Sequence, residues 1–115
     1  MVAANHFGRG VLLNDTISGQ TNSQIFQDYK HGVRKTVVCV YSTIASTSGG
    51  FVIEVEDPTV ENTSTTFSGF QLTSATVSAN TLEKIIIDAG AGSRLRCSFT
   101  PDGSGDVKIW AWSSD

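Results

Sequence analysis

Residues 81–115 read TLEKIIIDAGAGSRLRCSFTPDGSGDVKIWAWSSD, and this stretch decides the fold class. Short runs that suit β-strands occur three times in it, at 82–88, 94–100 and 106–112. The isoleucine run at 85–87 is too short and too β-branched to favour a helix. Glycine-rich segments separate the runs, and the segment PDGSG at 101–105 predicts a hairpin turn before the last strand.

The last run carries two tryptophans on one face. In a strand, Val107, Ile109 and Ala111 point to one side, and Lys108, Trp110 and Trp112 point to the other. If the first side is core, both indoles lie on the outer face, where aromatic residues mark interfaces or sugar-stacking platforms. Alternatively, the indoles cover the second face of an inner strand, and the pattern of one strand leaves both interpretations open.

Upstream of this stretch, further strands are predicted as far back as residue 34. The run RKTVVCVYSTI at 34–44 is apolar on both faces, which is typical of a central strand covered on two sides. The segment ASTSGG at 45–50 predicts a polar turn. The run FVIEVE at 51–56 predicts a half-buried strand with Glu54 and Glu56 outward, and Gly69 in the short strand 67–72 marks a bulge or a close approach.

The first 32 residues differ from the rest of the chain. They are rich in Asn, Gln, Gly, Ser and Thr, and their apolar residues form small islands such as 11–13 and 25–26. Such islands suit an extended arm that contacts a partner at intervals, and they equally suit one or two short strands that complete a sheet. The first interpretation divides the chain into an extended arm, 1–32, and a β-sandwich domain, 33–115.

The whole-chain composition agrees with an all-β domain. The 115 residues suit one domain, and 27 of them are Ser or Thr. Six strands after the arm predict an antiparallel two-sheet β-sandwich, jelly-roll-like, with an extended N-terminal arm. An immunoglobulin domain is the nearest alternative, but no Trp lies between Cys39 and Cys97, and Leu95 stands where the tyrosine corner needs Tyr.

Composition also bounds the function. The net charge of −3 argues against a nucleic-acid partner, and the longest apolar run of five residues, 37–41, is too short to span a membrane. The first ten residues lack the features of a secretory signal, so Cys39 and Cys97 are expected to be free thiols.

No constellation of residues meets the requirements of catalysis or metal binding. The carboxylates of Glu54 and Glu56, about 7 Å apart along a strand, have the separation of a glycosidase pair, but a solvated outer face is the favoured interpretation. Arg94 and Arg96 could pair with them within the chain or between subunits. The calcium-loop spacing of 102, 104 and 106 lacks the required glycine, since Val107 follows. His6 and His31 have no nucleophile motif beside them, so we expect no enzyme activity, cofactor or metal.

The layout as a whole resembles the head decoration, or cement, proteins of tailed bacteriophages. A polar arm precedes a Ser/Thr/Gly-rich sandwich, and the stretch 81–115 looks like the last strands of small virion sandwich domains. The resemblance implies a noncatalytic virion protein on the capsid surface, assembled in the host cytoplasm, often as a homotrimer. Its implied partners are the major capsid protein and its own copies, without nucleic acid or membrane.

Two sets of residues are candidates for partner binding. The apolar residues of the arm, Phe7, Val11, Leu12 and Leu13, are expected to anchor it on a capsid or a neighbouring subunit. Trp110 and Trp112 form the second set. The alternative function is a phage tail-fibre or receptor-binding module, or a carbohydrate-binding sandwich, in which these exposed aromatics stack on sugar rings.

Overall fold

The chain forms ten β-strands in a computed structural model that describes residues 5–7, 9–27, 35–57, 67–88 and 94–114. The strands in chain order are β1 Asn5–Phe7, β2 Arg9–Ile17, β3 Thr21–Asn22, β4 Ile25–Gln27, β5 Lys35–Ser42, β6 Ser46–Glu56, β7 Gly69–Ala75, β8 Glu83–Ile87, β9 Arg94–Pro101 and β10 Gly105–Ser114. Within these ranges nothing forms a helix with the length and hydropathy of a membrane span.

The strands make two sheets. The larger sheet has the order β1-β4-β9-β6-β7, with β3 also paired to β9, and the smaller sheet has the order β2-β10-β5-β8. Every described pairing is antiparallel except that of β1 with β4, which is parallel. The predicted antiparallel two-sheet β-sandwich is therefore confirmed.

Period-two alternation explains how the core is filled. From the larger sheet, Leu95, Cys97 and Phe99 of β9 point inward, and from the smaller sheet Ile109 and Ala111 of β10 meet them. Strand β5 is buried on both faces, as its sequence predicts. The rings of Phe51 and Phe99 pack at the centre with centroids 6.3 Å apart and planes tilted by 52°.

Residues 9–27 belong to the sheets, which corrects the division at residue 32 for the described part of that segment. Strand β2 pairs with β10, and strands β3 and β4 pair with β9. Leu12, Ile17 and Phe26 enter the core because each has a sheet position that points between the layers. The N-terminal islands had two interpretations, an extended arm and short strands that complete a sheet. The second one describes these residues. Residues 1–4, 8 and 28–32 lie outside the described residues.

The turn predicted at 45–50 is wrong, because residues 46–50 form the first half of β6. The Ser46 backbone N–H donates to the Val77 carbonyl at 2.9 Å, and the Val77 N–H donates to Ser46 Oγ at 2.8 Å. A Cβ on Gly50 would lie 2.8 Å from the Thr100 carbonyl oxygen, so glycine is what allows the neighbouring backbone to come this close. The small residues at the start of β6 therefore allow the neighbouring backbone to pack closely against this strand.

The turn at 101–105 forms, but it is not a hairpin. Strand β9 ends in the larger sheet at Pro101, and β10 begins in the smaller sheet at Gly105, so the turn crosses between layers. Backbone hydrogen bonds attach it to the loop before β6: Asp102 N–H donates to the Ala45 carbonyl at 2.8 Å, and Thr43 N–H to the Asp106 carbonyl at 2.9 Å. A Cβ on Gly105 would lie 2.6 Å from Ile44 Cγ2, so this packing needs glycine.

Gly69 is a point of close approach, as predicted. A Cβ there would lie 2.6 Å from the Val55 carbonyl oxygen of the adjacent strand. The extra residue of the bulge in this strand pair is Leu72, because Ile53 pairs with Thr73 and Glu54 pairs with Gln71.

Both cysteines are free and buried, and Cys97 gives a testable consequence. Burial raises the pKa of the Cys97 thiol to about 12, with the Ser23 hydroxyl opposing the shift and Glu54 adding to it. At pH 8 the folded protein should therefore hold about a thousandfold less Cys97 thiolate than the unfolded chain, in which the pKa is 9.0.

We expect Cys97 to resist an aromatic disulfide reagent at pH 8 in buffer and to react at once in denaturant, as followed by absorbance and peptide mapping. The unfolded thiol ionises above pH 9 while the folded thiol stays protonated. The contribution of Cys97 to the free energy of unfolding is therefore complete below that pH and is lost as the pH rises toward 12. Equal reaction rates in buffer and in denaturant would contradict the burial of this thiol.

Candidate functional site

Strand β10 places both tryptophans on the outer face of the smaller sheet. Val107, Ile109 and Ala111 of the same strand are buried in the core, so Trp110 and Trp112 point away from it. Each indole is half-buried. This decides between the two interpretations of the sequence: the face opposite the core carries the indoles, and no third layer covers it in the described part of the chain.

Sheet pairing surrounds the indoles with further apolar side chains. Trp110 lies opposite Val11 on one side and Cys39 on the other, and Trp112 lies opposite Val37. Strand β8 extends the surface. We call this surface the tryptophan face, and its members are Val11, Val37, Cys39, Tyr41, Lys84, Ile86, Lys108, Trp110 and Trp112.

The tryptophan face has a covered centre and an exposed margin. Val37 and Cys39 are buried, although they point away from the core, because the indoles and the side chains of β8 lie beside them. At the margin, Val11, Tyr41 and Ile86 are 42%, 39% and 55% exposed. A contiguous, partly exposed apolar surface of this kind is typical of an interaction site.

A groove runs along the β2 side of this face. Its walls are Gly10, Val11, Lys108, Trp110, Ala111 and Trp112. A bulge at Leu12 sends that side chain into the core and leaves Val11 opposite Trp110 on the outside. The Lys108 ammonium lies 5.6 Å from the Trp110 ring centroid, a cation–π contact at the rim of the groove. The groove can hold an apolar group next to a positive charge.

The outer face of the larger sheet has a different character. Arg94 binds Glu56 at 2.7 Å and Arg96 binds Glu54 at 3.0 Å, so the ion pairs considered from sequence form within the chain. Phe67 covers them, with its ring centroid 4.8 Å from the Arg96 guanidinium carbon. Each carboxylate is thus engaged by an arginine, an arrangement that neutralises this face and links β6 to β9.

The candidate residues from the sequence end up in different places. Val11, Trp110 and Trp112 come together on the tryptophan face. Leu12 is a core residue and Leu13 is partly buried against the core, so neither lies on this face. Phe7 lies in β1, and its side chain is outside what the structure describes.

Sequence reasoning does not identify the other members of the tryptophan face as site residues. Val37, Cys39 and Tyr41 form the second apolar face of the run at 34–44, and this alternation is the signal that the sequence offers. Ile86 carries no such signal, because it reaches the face only through the pairing of β8 with β5.

The remaining candidates from sequence do not assemble into a cluster. In the part of the chain that the structure describes, no group of three or more His, Cys, Asp or Glu side chains is placed to hold a metal ion. Asp106, of the calcium-like spacing, accepts a hydrogen bond from the Thr16 hydroxyl. His6 lies in β1, and His31 is outside the described residues.

Comparison with known proteins supports the fold. No protein-family model and no curated protein matches the sequence. Among solved structures, the chain is similar to PBSX exported protein XepA, with 14% identity, 92% of this chain covered and a TM-score of 0.63. It is also similar to tripeptidyl peptidase 2, with 7% identity, 95% of this chain covered and a TM-score of 0.63.

These similarities concern the sandwich alone. The chain spans 36% of XepA and 10% of tripeptidyl peptidase 2. A pentameric capsid protein from metagenomic phage sequences aligns over 90% of this chain and 60% of its own length, with 13% identity and a TM-score of 0.37, which is too low to indicate a shared fold.

Proposed function

We propose that the chain is a noncatalytic virion structural protein that binds the outer surface of a phage capsid and cements neighbouring major capsid proteins. The observation that carries the proposal is the tryptophan face, a partly exposed apolar surface on a rigid sheet. Interface cores are enriched in Trp and Tyr, and such aromatic anchors supply much of the binding energy. Because the sheet is already ordered, docking costs little conformational entropy.

The site of docking differs from the one that the sequence indicated. An arm that orders on the capsid needs its apolar residues free, and Leu12 is instead in the core. Val11 remains available, because it lies on the tryptophan face beside Trp110. The proposed contact with the capsid is therefore a sheet face.

Cementing requires more than one contact for each bound unit. Self-association supplies the additional contacts, since an oligomer presents several tryptophan faces at high effective concentration. The same proposal includes the homotrimer that the sequence resemblance implies and its location on the capsid surface.

The test is binding to particles assembled from the major capsid protein of the same genome. Trp112→Ala should weaken co-sedimentation with these particles about 30-fold or more, because truncating a central aromatic anchor removes 2 kcal/mol or more. The matched control is Val52→Ala, which shortens a half-buried apolar side chain on the larger sheet, opposite Ser74. Wild-type protein that does not sediment with the particles, or equal losses in both variants, would overturn the proposal.

A second candidate function rests on the two indoles. Two tryptophans beside a groove favour a carbohydrate-binding or phage receptor-binding module, because indoles stack on sugar rings. Sugar hydroxyls also need directional acceptors, and the charged side chain among the groove walls is that of Lys108, which only donates. A glycan array separates the two functions: glycan binding that is lost in Trp110→Ala and Trp112→Ala would favour the carbohydrate module.

A further inference from the structure

The tryptophan face is positively charged on a chain of negative net charge. Lys84 and Lys108 lie on this face, and Lys35 lies at its edge, opposite Ser114 of β10. One described carboxylate shares this side of β10, that of Asp106 at the start of the strand, and it accepts a hydrogen bond from the Thr16 hydroxyl. All three lysines are exposed, and in the described part of the chain no carboxylate lies within salt-bridge distance of them. The net charge of the chain is −3, and the arginines of the larger sheet are paired with glutamates. Among the side chains that the structure describes, the positive charge without a carboxylate partner is therefore concentrated on this face.

Lys108 connects this charge to the groove. Its ammonium stands over Trp110 at the groove rim, and the groove walls next to it are apolar. A ligand that matches both features has a large apolar group to fill the groove and an anionic group a few ångströms away. In proteins, that combination is an Asp or Glu next to a large apolar residue.

We infer that the tryptophan face takes an acidic, apolar segment of its partner protein, with an apolar side chain in the groove and a carboxylate on Lys108. The inference rests on the proposed function, because it names the chemistry that the tryptophan face recognises. Charge complementarity of this kind selects the partner and speeds docking more than it adds affinity.

A single-stranded nucleic acid is the other anion that aromatic residues and lysines can bind. Two features of the tryptophan face favour a peptide. Its exposed margin includes the aliphatic Val11 and Ile86, which offer no stacking surface. The Trp110 ring, which a base would need, already has Lys108 over it.

The experiment compares two blocked peptides of equal shape, acetyl-DLFEL-amide and acetyl-NLFQL-amide, titrated into the intact chain. Binding is read from the indole N–H signals in proton–nitrogen NMR spectra. The acidic peptide should bind about fivefold more tightly than its amide counterpart, the worth of a single exposed ion pair. NaCl at about 1 M should remove this difference, because the Debye length falls to about 3 Å.

Two variants locate the contacts. Lys108→Gln should remove the preference for the acidic peptide and keep the binding of the amide peptide. Trp112→Ala should weaken both peptides alike. Equal affinity of the two peptides for the wild-type chain, or indole signals that neither peptide shifts, would overturn the inference. A deoxythymidine oligomer that shifts the indole signals while the acidic peptide does not would overturn it in favour of nucleic acid.

The peptide experiment and the capsid experiment can contradict their two proposals independently of each other. If the chain prefers the acidic peptide but does not bind the capsid particles, the recognition chemistry stands and the virion assignment falls. If it binds the particles in a Trp112-dependent way without preferring the acidic peptide, the virion assignment stands and the inferred chemistry falls.

Discussion

Replacing Leu12 with alanine is expected to lower the free energy of unfolding by about 2–5 kcal/mol. Leu12 is the extra residue of a bulge in β2, and the bulge sends its side chain into the core, where it is 3% exposed. Alanine at this position leaves a cavity that the two fixed sheets can only partly close. Urea denaturation followed by tryptophan fluorescence and circular dichroism measures the loss.

The control for this prediction is the adjacent residue. Val11 is 42% exposed on the tryptophan face, so Val11→Ala should change the free energy of unfolding by no more than about 0.5 kcal/mol. The pair tests whether the N-terminal segment belongs to the sandwich. A loss from Leu12→Ala as small as that from Val11→Ala would mean that this segment lies outside the core, as an arm would.

Replacing Phe99 with alanine is expected to cost about 3–5 kcal/mol. Phe99 of β9 is fully buried, and its ring packs on Phe51 with centroids 6.3 Å apart. The substitution removes the transfer free energy of the ring, the aromatic contact and the packing of the surrounding side chains. The total stability of a domain is about 5–15 kcal/mol, so this loss is a large fraction of it. The same denaturation curves measure it.

If the alanine variant does not fold, the Phe99→Leu variant tests the same prediction. Leucine retains most of the apolar volume, so the loss should be clearly smaller than for alanine and the denaturant slope should be unchanged. Two variants with losses below about 1 kcal/mol would contradict the position of Phe99 between the sheets.

Sequence reasoning succeeded wherever a property depends on neighbouring residues in the chain. Alternation in 106–112 predicted that Val107 and Ile109 share a face opposite Trp110 and Trp112, and the core confirms it. It also predicted the doubly buried β5, and the close approach at Gly69 followed from a lone glycine in a strand. These signals are local, because successive side chains of a strand point to opposite faces whatever the strand pairs with.

The errors arose where a decision depends on residues distant in the chain. The glycines at 49–50 suggested a turn, and Gly50 instead lets β9 approach β6. The segment 101–105 is a turn, but its sequence does not encode which sheet the next strand joins. Likewise, the polar character of 1–32 suggested an arm, because the partners of its apolar islands are about 70 to 100 residues away in the chain.

The sequence by itself determined the β class, most strands and the placement of both tryptophans on one side of the last strand. Only the tertiary structure decided that this side of the last strand faces outward and that β2 completes the smaller sheet, with Leu12 in the core and Val11 on the surface. It also decided that Tyr41, Lys84 and Ile86 join the indoles in one face. The physical reason is that side-chain alternation is a property of each strand alone. Strand pairing, in contrast, is a choice among distant segments that depends on burial and packing of the whole chain.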